Sequence, residues 1–427
     1  MRAGVRIGTS IRVLVLTMTL PGAAAAQAGP PLARVSMDDA VRLALERNQS
    51  LMAQRLTVDA AKADEVTAAL KPNPGLSLGA DGFTPFSPSQ ITPDFLKNDV
   101  SYSGSLDYLF ERGGKRGKRI LTAQDATDIA SRTVRDNERQ LRFQTEQAFI
   151  AVLLAKSVLD LANQNLGSFS DIVNINQRRV ASGDLAEGDF YKISLQKLQF
   201  EQDVSAAEVG LVQTRANLRQ LMGFDTVTDD FDVVGDLTYQ KHDVTLQDLE
   251  RQALASRPDL LAAQSGVKLA RDTTLRERAN AARDLDGSVN YSHTGADNVV
   301  GLGMSIDLPV HDRNQGNIAH AEVGERQAVE TEAATRYGVI TDVVNAFAGL
   351  QTADKVVNLF QSGYLDQARQ SLDISTYVFQ RGAGSLLDLL DAERTNRDTQ
   401  LAYRQALAAY LTSVRQINLA VGMQVMP

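Results

Sequence analysis

Two aspartates near the C-terminus are spaced as neighbours on one helix face. Asp388 and Asp391 are three residues apart and follow a glycine, Gly382, in a leucine-rich segment. Residues at i and i+3 lie on the same side of an α-helix, so these carboxylates would point in one direction. Carboxylates gathered around a narrow pore attract cations and repel one another. Aspartate in a first helical turn also suits the helix dipole whatever the function, so both interpretations stay open.

A third aspartate occupies the equivalent place in the first half of the chain. Asp189 lies six residues after Gly183, as Asp388 lies six residues after Gly382. This repeated spacing predicts two similar glycine turns, each followed by a helix with an acidic residue near its start. The three aspartates are therefore the candidate functional residues.

Other kinds of chemistry have little support in the sequence. The four histidines, His242, His293, His311 and His320, include no pair at i and i+4, and the chain contains no cysteine. No nucleophile–base set, P-loop or dinucleotide glycine pattern is present. We expect no catalytic residues, no cofactor and no tight metal site. The formal net charge of −8 argues against binding to nucleic acid.

The N-terminus has the pattern of a secretion signal. Three arginines precede an apolar run at 13–20, and the small residues at 23–26 provide a cleavage site. The apolar run is too short to span a bilayer as a helix. We therefore predict a signal peptide over residues 1–26. Its removal would leave 41 basic and 52 acidic side chains, a net charge of −11.

Two stretches without proline, 94–257 and 310–426, favour unusually long helices. Proline breaks helix interiors, and apolar residues recur in these stretches at spacings of three, four and seven. The predicted long helices, in chain order, are about 115–180, 186–222, 315–361 and 363–421, with shorter helices at 36–70 and 245–283. Turns between paired long helices are expected at 181–188 and 380–386.

Four segments between the helices alternate in polarity. They predict β-strands at about 75–82, 99–110, 285–293 and 298–309. In 299–308 every even-numbered residue is large and apolar, whereas the odd-numbered residues are mostly small or polar. Strands of this length suit a membrane-spanning β-structure, although a half-buried sheet in a soluble domain would alternate in the same way.

Four strands are too few to close a barrel, and lipid does not tolerate the unpaired edges of an open sheet. If the apolar strand face meets lipid, several protomers must share one barrel. Three protomers would supply twelve strands around a water-filled lumen lined by the polar face.

The chain repeats itself at a shift of about 200 residues. "SMDDAVRLALERNQSLMAQ" (36–54) matches "TLQDLERQALASRPDLLAA" (245–263), and "SLDYLF" matches "SIDLPV". We divide the chain into a first repeat (27–223), a linker or equatorial segment (224–244) and a second repeat (245–423).

In each repeat a strand runs through a charged, glycine-containing rim, "ERGGKRGKR" or "HDRNQGN", into a long helix. Because glycine adopts backbone conformations closed to other residues, Gly113, Gly114, Gly117 and Gly316 are expected to permit the bend.

This organisation resembles the TolC-type outer-membrane factors of tripartite efflux and secretion systems. The resemblance covers nearly the whole chain after residue 26. It is carried by "LFERGGKRGKRI", "DLPVHDRNQGNI" and "RGAGSLLDLLDAERT" leading to "YLTSVRQINLAVG". The two strand–rim junctions are especially similar to the CzcC-like, cobalt–zinc–cadmium resistance branch. The resemblance implies a mainly α fold with a small β part. Each protomer would give four strands to a trimeric twelve-stranded outer-membrane β-barrel standing on a long periplasmic α-helical barrel.

The resemblance also implies partners and roles. The protein would be a passive conduit rather than an enzyme, a homotrimer embedded in outer-membrane lipid. It would work with a periplasmic adaptor protein and an inner-membrane RND-type pump. Aspartates matching Asp388 and Asp391 line the periplasmic constriction in the resembled family, and Asp189 is the corresponding position in the first repeat. The helical hairpin tips there meet the adaptor, and the tip residues here are Gly183, Leu185, Gly382 and Ser385.

One feature departs from the family pattern. Some members hold the entrance closed with an arginine and a tyrosine near these aspartates. The matching positions here are Gly384 and Phe379, and Arg381 and Tyr377 are out of register. The closing bonds therefore cannot be carried over from the family.

The cargo stays open at the level of sequence. The CzcC-like features favour divalent heavy-metal cations, but organic-solute efflux and type I protein secretion fit the same fold. A soluble periplasmic coiled-coil scaffold is a remote alternative, because it would not require the alternating strands.

Overall fold

Long helices and a small sheet make up the chain. The computed structural model describes residues 32–82 and 92–427, so the predicted signal peptide, 1–26, lies outside the described residues. In chain order the elements are β1 (Leu32–Val35), α1 (Met37–Arg47), α2 (Gln49–Ala69), β2 (Gly75–Asp81), α3 (Pro93–Asn98), β3 (Ser101–Phe110), α4 (Lys115–Ala181), α5 (Glu187–Met222), β4 (Val227–Val233), α6 (Leu246–Ser256), α7 (Pro258–Asn280), β5 (Leu285–Thr294), β6 (Asp297–Ser305), α8 (Gln315–Leu359), α9 (Leu365–Gln380) and α10 (Leu386–Val421).

The predicted strands form one antiparallel sheet in the order β2-β3-β5-β6. The last strand ends earlier than the sequence predicts, at Ser305 rather than 309. Ser305 pairs with Asp286, and β5 begins only one residue before Asp286. The residues after Ser305 therefore have almost no facing backbone with which to extend the ladder.

A second sheet was not expected from the sequence. It pairs β1 with β4 in parallel, and β4 lies in the segment 224–244, which we predicted to be a linker. The side chains of Val227, Phe231 and Val233 are buried there. This near-alternation of apolar residues is the sequence pattern that indicates a strand within 224–244.

The helices of the two halves have matching lengths. Helix α4 has 67 residues and is about 100 Å long at 1.5 Å per residue. In the second half α8, a π-helical segment (Phe360–Tyr364) and α9 together cover residues 315–380, a similar length. The returning helices α5 and α10 have 36 residues each.

The predicted helix over 363–421 is wrong as one continuous helix, because the turn that we expected at 380–386 divides it, while Gly363 breaks the helical path at the expected start of the range. Gly363 has φ +122° inside the π-helical segment. A turn at 381–385 then contains Gly382 with φ +73°, and α10 begins only at Leu386. The absence of proline permitted one long helix but did not require it, since glycine in a left-handed conformation ends a helix equally well.

Each predicted shorter helix is also divided in two. Asn48 ends α1 and caps α2 by accepting a hydrogen bond from the Leu51 backbone N–H at 3.1 Å. Between α6 and α7, Arg257 is extended (ψ 122°) because the residue before a proline avoids the helical region, and Pro258 starts α7.

Two of the four glycines predicted to bend the chain from strand to helix, Gly113 and Gly114, do so. Gly113 and Gly114 take left-handed conformations (φ +70° and +71°) before α4. A Cβ on Gly113 would lie 2.6 Å from the Cβ of Ala282, so only glycine fits there. Before α8 the left-handed residue is Asn314 (φ +61°), whose side chain donates to the Glu277 carbonyl at 2.7 Å. The predicted hinge residues Gly117 and Gly316 instead lie inside α4 and α8.

A buried arginine joins the helices of the second half. The Arg257 side chain donates to Asp259 at 2.6 Å, to Asp342 at 2.8 Å and to the Ala420 carbonyl at 3.3 Å, and the residue is 5% exposed. Burial alone would raise the pKa of Asp259. The hydrogen bonds and charge of Arg257 outweigh it and hold that pKa below its ordinary value.

Replacing this arginine should destabilise the helical part. Arg257→Met leaves Asp259 and Asp342, 27% and 54% exposed, without their cation, so we expect a cost below the about 3–5 kcal/mol of breaking a fully buried pair but above that of an exposed pair. The matched control Arg251→Met removes an exposed pair with Asp248 and should cost less than about 1 kcal/mol. Thermal unfolding followed by circular dichroism in detergent compares the two.

The stability lost on replacing Arg257 should depend on pH. A carboxyl with a lowered folded-state pKa contributes stability above its ordinary pKa of about 4, and loses it as the pH falls through the lowered value. The difference in free energy of unfolding between wild type and Arg257→Met should therefore become smaller below about pH 4. Equal destabilisation by both substitutions would contradict the role assigned to Arg257.

Candidate functional site

The register of the four-stranded sheet sorts its side chains onto two faces of opposite character. Leu106 pairs with Val289, which pairs in turn with Leu302, so these three side chains share one face. We call this the apolar face. Its members are Leu76, Leu78, Ala80, Tyr102, Gly104, Leu106, Tyr108, Phe110, Leu285, Gly287, Val289, Tyr291, His293, Asn298, Val300, Leu302 and Met304. None of them is Asp, Glu, Lys or Arg.

The apolar face is uncovered in a single chain. Leu78 is 80% exposed and Leu302 is 84% exposed. Aromatic pairs flank the band: Tyr108 packs on Phe110 (centroids 4.9 Å apart) at the helix end, and Tyr102 stacks on His293 (6.4 Å) at the other. Eight residues of strand span about 26 Å. Membrane barrels present an apolar band of about 25 Å between aromatic girdles, and this face has those dimensions.

The opposite face of the sheet, here the polar face, carries only negative charge. Its strand residues are mainly serine, glycine and asparagine, and its charged members are Asp81, Asp107, Asp286 and Asp297. Asp107 and Asp286 lie near the helix end, whereas Asp81 and Asp297 lie at the far end. The surface can therefore attract cations at two levels. Sequence reasoning did not select these four residues, although their places on the polar side of alternating strands were the available signal.

Both helical hairpins end in the same kind of turn. The Gly183 N–H donates to the Val180 carbonyl at 3.0 Å, and the Asp184 N–H to the Arg179 carbonyl at 2.8 Å. Gly382 and Ala383 make the equivalent bonds at 3.0 and 3.1 Å. This is the Schellman arrangement, which requires the left-handed glycine. The two predicted tip glycines thus occupy equivalent positions.

A cluster of apolar side chains packs the two tips together. Its buried members are Phe169, Ile193, Phe200, Phe379 and Leu389, and the rings of Phe169 and Phe200 stack with centroids 4.6 Å apart. Leu185 is half-buried against this cluster, whereas Ser385 is exposed and caps α10.

The candidate aspartates lie on the exposed side of these hairpins. Asp388 and Asp391 are both exposed, whereas Leu389 and Ala392 on the same helix are buried. The Asp388 backbone N–H donates to the Ser385 hydroxyl at 3.1 Å, so the Asp388 carboxylate is not used in capping. Asp391 pairs with Arg394 at 2.8 Å.

The first-half counterpart, Asp189, is half-buried and pairs with Lys192 at 2.9 Å. Lys192 stands at the position equivalent to Asp391. The first hairpin therefore carries a neutral pair where the second carries two carboxylates.

The departure from the family pattern at the entrance has a structural reason. A Cβ on Gly384 would lie 3.0 Å from a Val378 methyl and 3.2 Å from the Phe379 nitrogen, so the turn has no room for a side chain there. Phe379 is buried, with the Arg179 guanidinium 5.2 Å from its ring centre. Arg381 instead lies over the ring of Tyr377 at 5.1 Å.

Helices α5 and α10 are joined by contacts that the sequence pattern does not indicate. Arg397 pairs with Asp203 at 3.3 Å and lies 5.6 Å from the ring centre of Phe200. Glu393 is 5% exposed nearby. Burial raises its pKa, and the charge of Arg397 opposes that rise only in part. These groups have no local sequence signal, because their partners lie about 190 residues away.

Residues 32–82 and 92–427 contain no cluster of three or more potential ligand side chains that could hold a metal ion. Within the same ranges no helix combines the length and apolar character needed to cross a membrane.

Comparisons with known proteins agree with this geometry. The model of the family "Outer membrane efflux protein" matches residues 40–224 and 249–423. The cobalt-zinc-cadmium resistance protein CzcC of Cupriavidus metallidurans is 25% identical over 405 residues, covering 92% of this chain and 91% of that protein. The cation efflux system protein CusC of Escherichia coli is 29% identical over 185 residues, covering 40% of this chain and 38% of that protein.

Among solved structures, a membrane protein from Pseudomonas aeruginosa superposes with a TM-score of 0.77 at 19% identity. The match covers 90% of this chain and 92% of that one. At this identity the likeness establishes the fold.

The assignment of the two sheet faces can be tested by placing one charge on each. Leu302→Arg puts a cation in the middle of the apolar face, which costs about 2–4 kcal/mol at the centre of a bilayer. Asn290→Arg puts the same residue at a similar depth on the polar face and should cost little. Folding into lipid vesicles, followed by guanidinium titration, measures both. A larger loss for Asn290→Arg would reverse the assignment.

Proposed function

The chain belongs to the outer membrane efflux protein family, and we propose that it is the trimeric conduit through which a tripartite system exports divalent heavy-metal cations. Family membership confirms the relationship predicted from the sequence. It makes the protein an outer-membrane efflux channel with a long periplasmic helical part. The trimer, the partners and the metal cargo are our proposals.

The trimer is supported by the edges of the sheet. Within residues 32–82 and 92–427, β2 and β6 each pair on one side only, so one row of backbone N–H and C=O groups on each has no partner among them. Such groups cost several kcal/mol each in hydrocarbon. Pairing β6 of one copy with β2 of the next removes every edge when three copies close a ring of twelve strands, a number within the range of known membrane barrels.

The charge of the polar face carries the proposal of a cation cargo. In a closed trimer this face would line the lumen with four aspartates from each protomer and no basic residue on the strands. Fixed charges of one sign in a channel favour ions of the opposite sign. The printed names of two relatives, a cobalt-zinc-cadmium resistance protein and a cation efflux system protein, point to the same class of cargo.

The periplasmic end supplies the proposed gate. Asp388 and Asp391, with Asp189 from the first hairpin, would form the constriction when three copies meet. The tip residues Gly183 and Gly382 would dock the periplasmic adaptor, together with Leu185 through its exposed part and Ser385. An inner-membrane RND-type pump would select and drive the cargo. No catalytic step is assigned to this chain.

Deleting the protein should sensitise cells to cobalt, zinc and cadmium, because the pump would lose its outlet. Minimal inhibitory concentrations should fall for these metals and recover when the wild-type chain is supplied. Unchanged metal tolerance with lower tolerance to organic compounds would assign the conduit to organic-solute efflux instead.

The gate proposal predicts a loss of cation block. Asp388→Asn combined with Asp391→Asn should weaken divalent-cation block of single channels in planar bilayers about tenfold or more. One charge pair at 4 Å is worth about 1 kcal/mol even in water, each protomer loses two carboxylates, and about 1.4 kcal/mol corresponds to a tenfold change. The matched control is Asp225→Asn with Asp243→Asn, two exposed carboxylates of the segment between the repeats. If divalent cations block the channels of both double variants as strongly as they block wild type, the constriction lies elsewhere.

A further inference from the structure

A band of positive charge lies where the sheet meets the helices. We define the rim band as residues 69–74, 111–119, 281–284 and 309–314, which connect the strands to α2, α4, α7 and α8. It contains three acidic residues, Glu111, Asp284 and Asp312. Its basic residues number eight: Lys71, Arg112, Lys115, Arg116, Lys118, Arg119, Arg283 and Arg313. The excess of positive charge stands out in a chain whose net charge is −8.

Hydrogen bonds hold the four segments of the rim band side by side. Arg116 donates to the Ala69 carbonyl at 2.7 Å, which joins the first segment to the second. Lys115 donates to Asp284 at 2.7 Å, and Arg283 donates to the Asp312 carbonyl. The basic residues therefore form one continuous surface across the width of the sheet.

Part of this charge has no carboxylate partner. Lys115 and Arg119 are paired with Asp284 and Glu111. In the part of the chain that the structure describes, no ion pair within 4.0 Å includes Lys71, Arg112 or Arg313, and all three are exposed. The Arg313 Nε donates to the Pro309 carbonyl at 3.3 Å, which leaves its terminal nitrogens available.

These three cations lie within five residues, along the chain, of exposed apolar side chains at the helix end of the sheet. Arg112 follows the exposed Phe110 by two residues, Lys71 precedes Leu76 by five and Arg313 follows Leu308 by five. A cation at the edge of an apolar band sits at the depth where acyl chains end and headgroups begin.

We propose that the rim band binds anionic phospholipid headgroups of the periplasmic leaflet through Lys71, Arg112 and Arg313. Guanidinium groups donate two parallel hydrogen bonds to a phosphate, and the lysine adds a point charge. The apolar face immediately above accommodates the acyl chains of the same lipid. The occupant is therefore a lipid whose headgroup is negative and whose tails continue along the strands. This proposal rests on the membrane location of the sheet and not on the nature of the cargo.

The test measures which lipids stay with the protein. Wild-type protein is extracted from nanodiscs of equal phosphatidylglycerol and phosphatidylcholine, and its retained lipids are counted by mass spectrometry. We expect phosphatidylglycerol to be enriched. In Lys71→Gln/Arg112→Gln/Arg313→Gln the enrichment should fall on the order of fivefold for each cation at low salt. The charge-preserving variant Lys71→Arg/Arg112→Lys/Arg313→Lys should retain more of the enrichment than the glutamine variant, because each position keeps its charge while two lose the paired hydrogen bonds.

A matched control separates local binding from overall charge. Lys355, Arg369 and Arg326 are also one lysine and two arginines, exposed on the helices away from the rim band. Their triple glutamine variant should enrich phosphatidylglycerol as wild type does. Equal enrichment in all variants overturns the proposal, and so does equal loss in both triple variants. Loss of the lipid in 50 mM inorganic phosphate, but not in chloride of equal ionic strength, also overturns it, because it assigns the site to free phosphate.

Discussion

The free edges of β2 and β6 impose the constraint from which the rest of the molecule follows. A strand edge exposes alternate N–H and C=O groups, and hydrocarbon offers them no partner. A chain with only four strands can place its sheet in a membrane only by pairing those edges with strands of other chains, and the trimer that we propose does so with copies of itself. The duplication within the chain suits this arrangement, since each repeat supplies one strand pair and then one long helical hairpin. The left-handed residues Gly113, Gly114 and Asn314 turn the chain from a tilted strand into a helix that continues the wall.

Charge is distributed over this scaffold according to what each surface must face. The apolar face has no Asp, Glu, Lys or Arg, the charged residues of the polar face are all aspartates, and the rim band between sheet and helices has an excess of cations. Each kind of charge matches the surroundings that we propose for its surface. Ions are costly in acyl chains, carboxylates suit a water-filled passage for cations, and cations suit the zone of lipid phosphates. The net charge of −8 therefore gives no indication that the protein has three surfaces of different charge.

The sequence predicts the elements whose signals are local. Alternation with a period of two located all four strands of the main sheet, and the lack of proline indicated helices long enough to reach across a periplasmic space. The errors arose where a single residue outweighed a long pattern. Gly382 ends α9 and Ser385 caps α10, so the turn expected at 380–386 divides the range 363–421 that was also predicted as one helix. Gly117 and Gly316 were expected to bend the chain but are accommodated inside helices. The ion pairs of Arg397 with Asp203 and of Arg257 with Asp342 join segments that are distant in sequence, so hydrophobic periodicity cannot predict them.

The packing of the tips bears on what their aspartates contribute. The hairpins are held together by buried rings, and truncating one such ring to alanine typically costs about 3–5 kcal/mol. The pair between Asp391 and Arg394 is exposed on both sides, and pairs of that kind contribute about 0–1 kcal/mol. The Asp388 carboxylate takes no part in the cap, which the Ser385 hydroxyl makes with the Asp388 backbone N–H. The fold of the tip therefore depends little on these carboxylates. Their charge remains available to ions in the water beside the helix, and its loss can be read as a change in conduction rather than in folding.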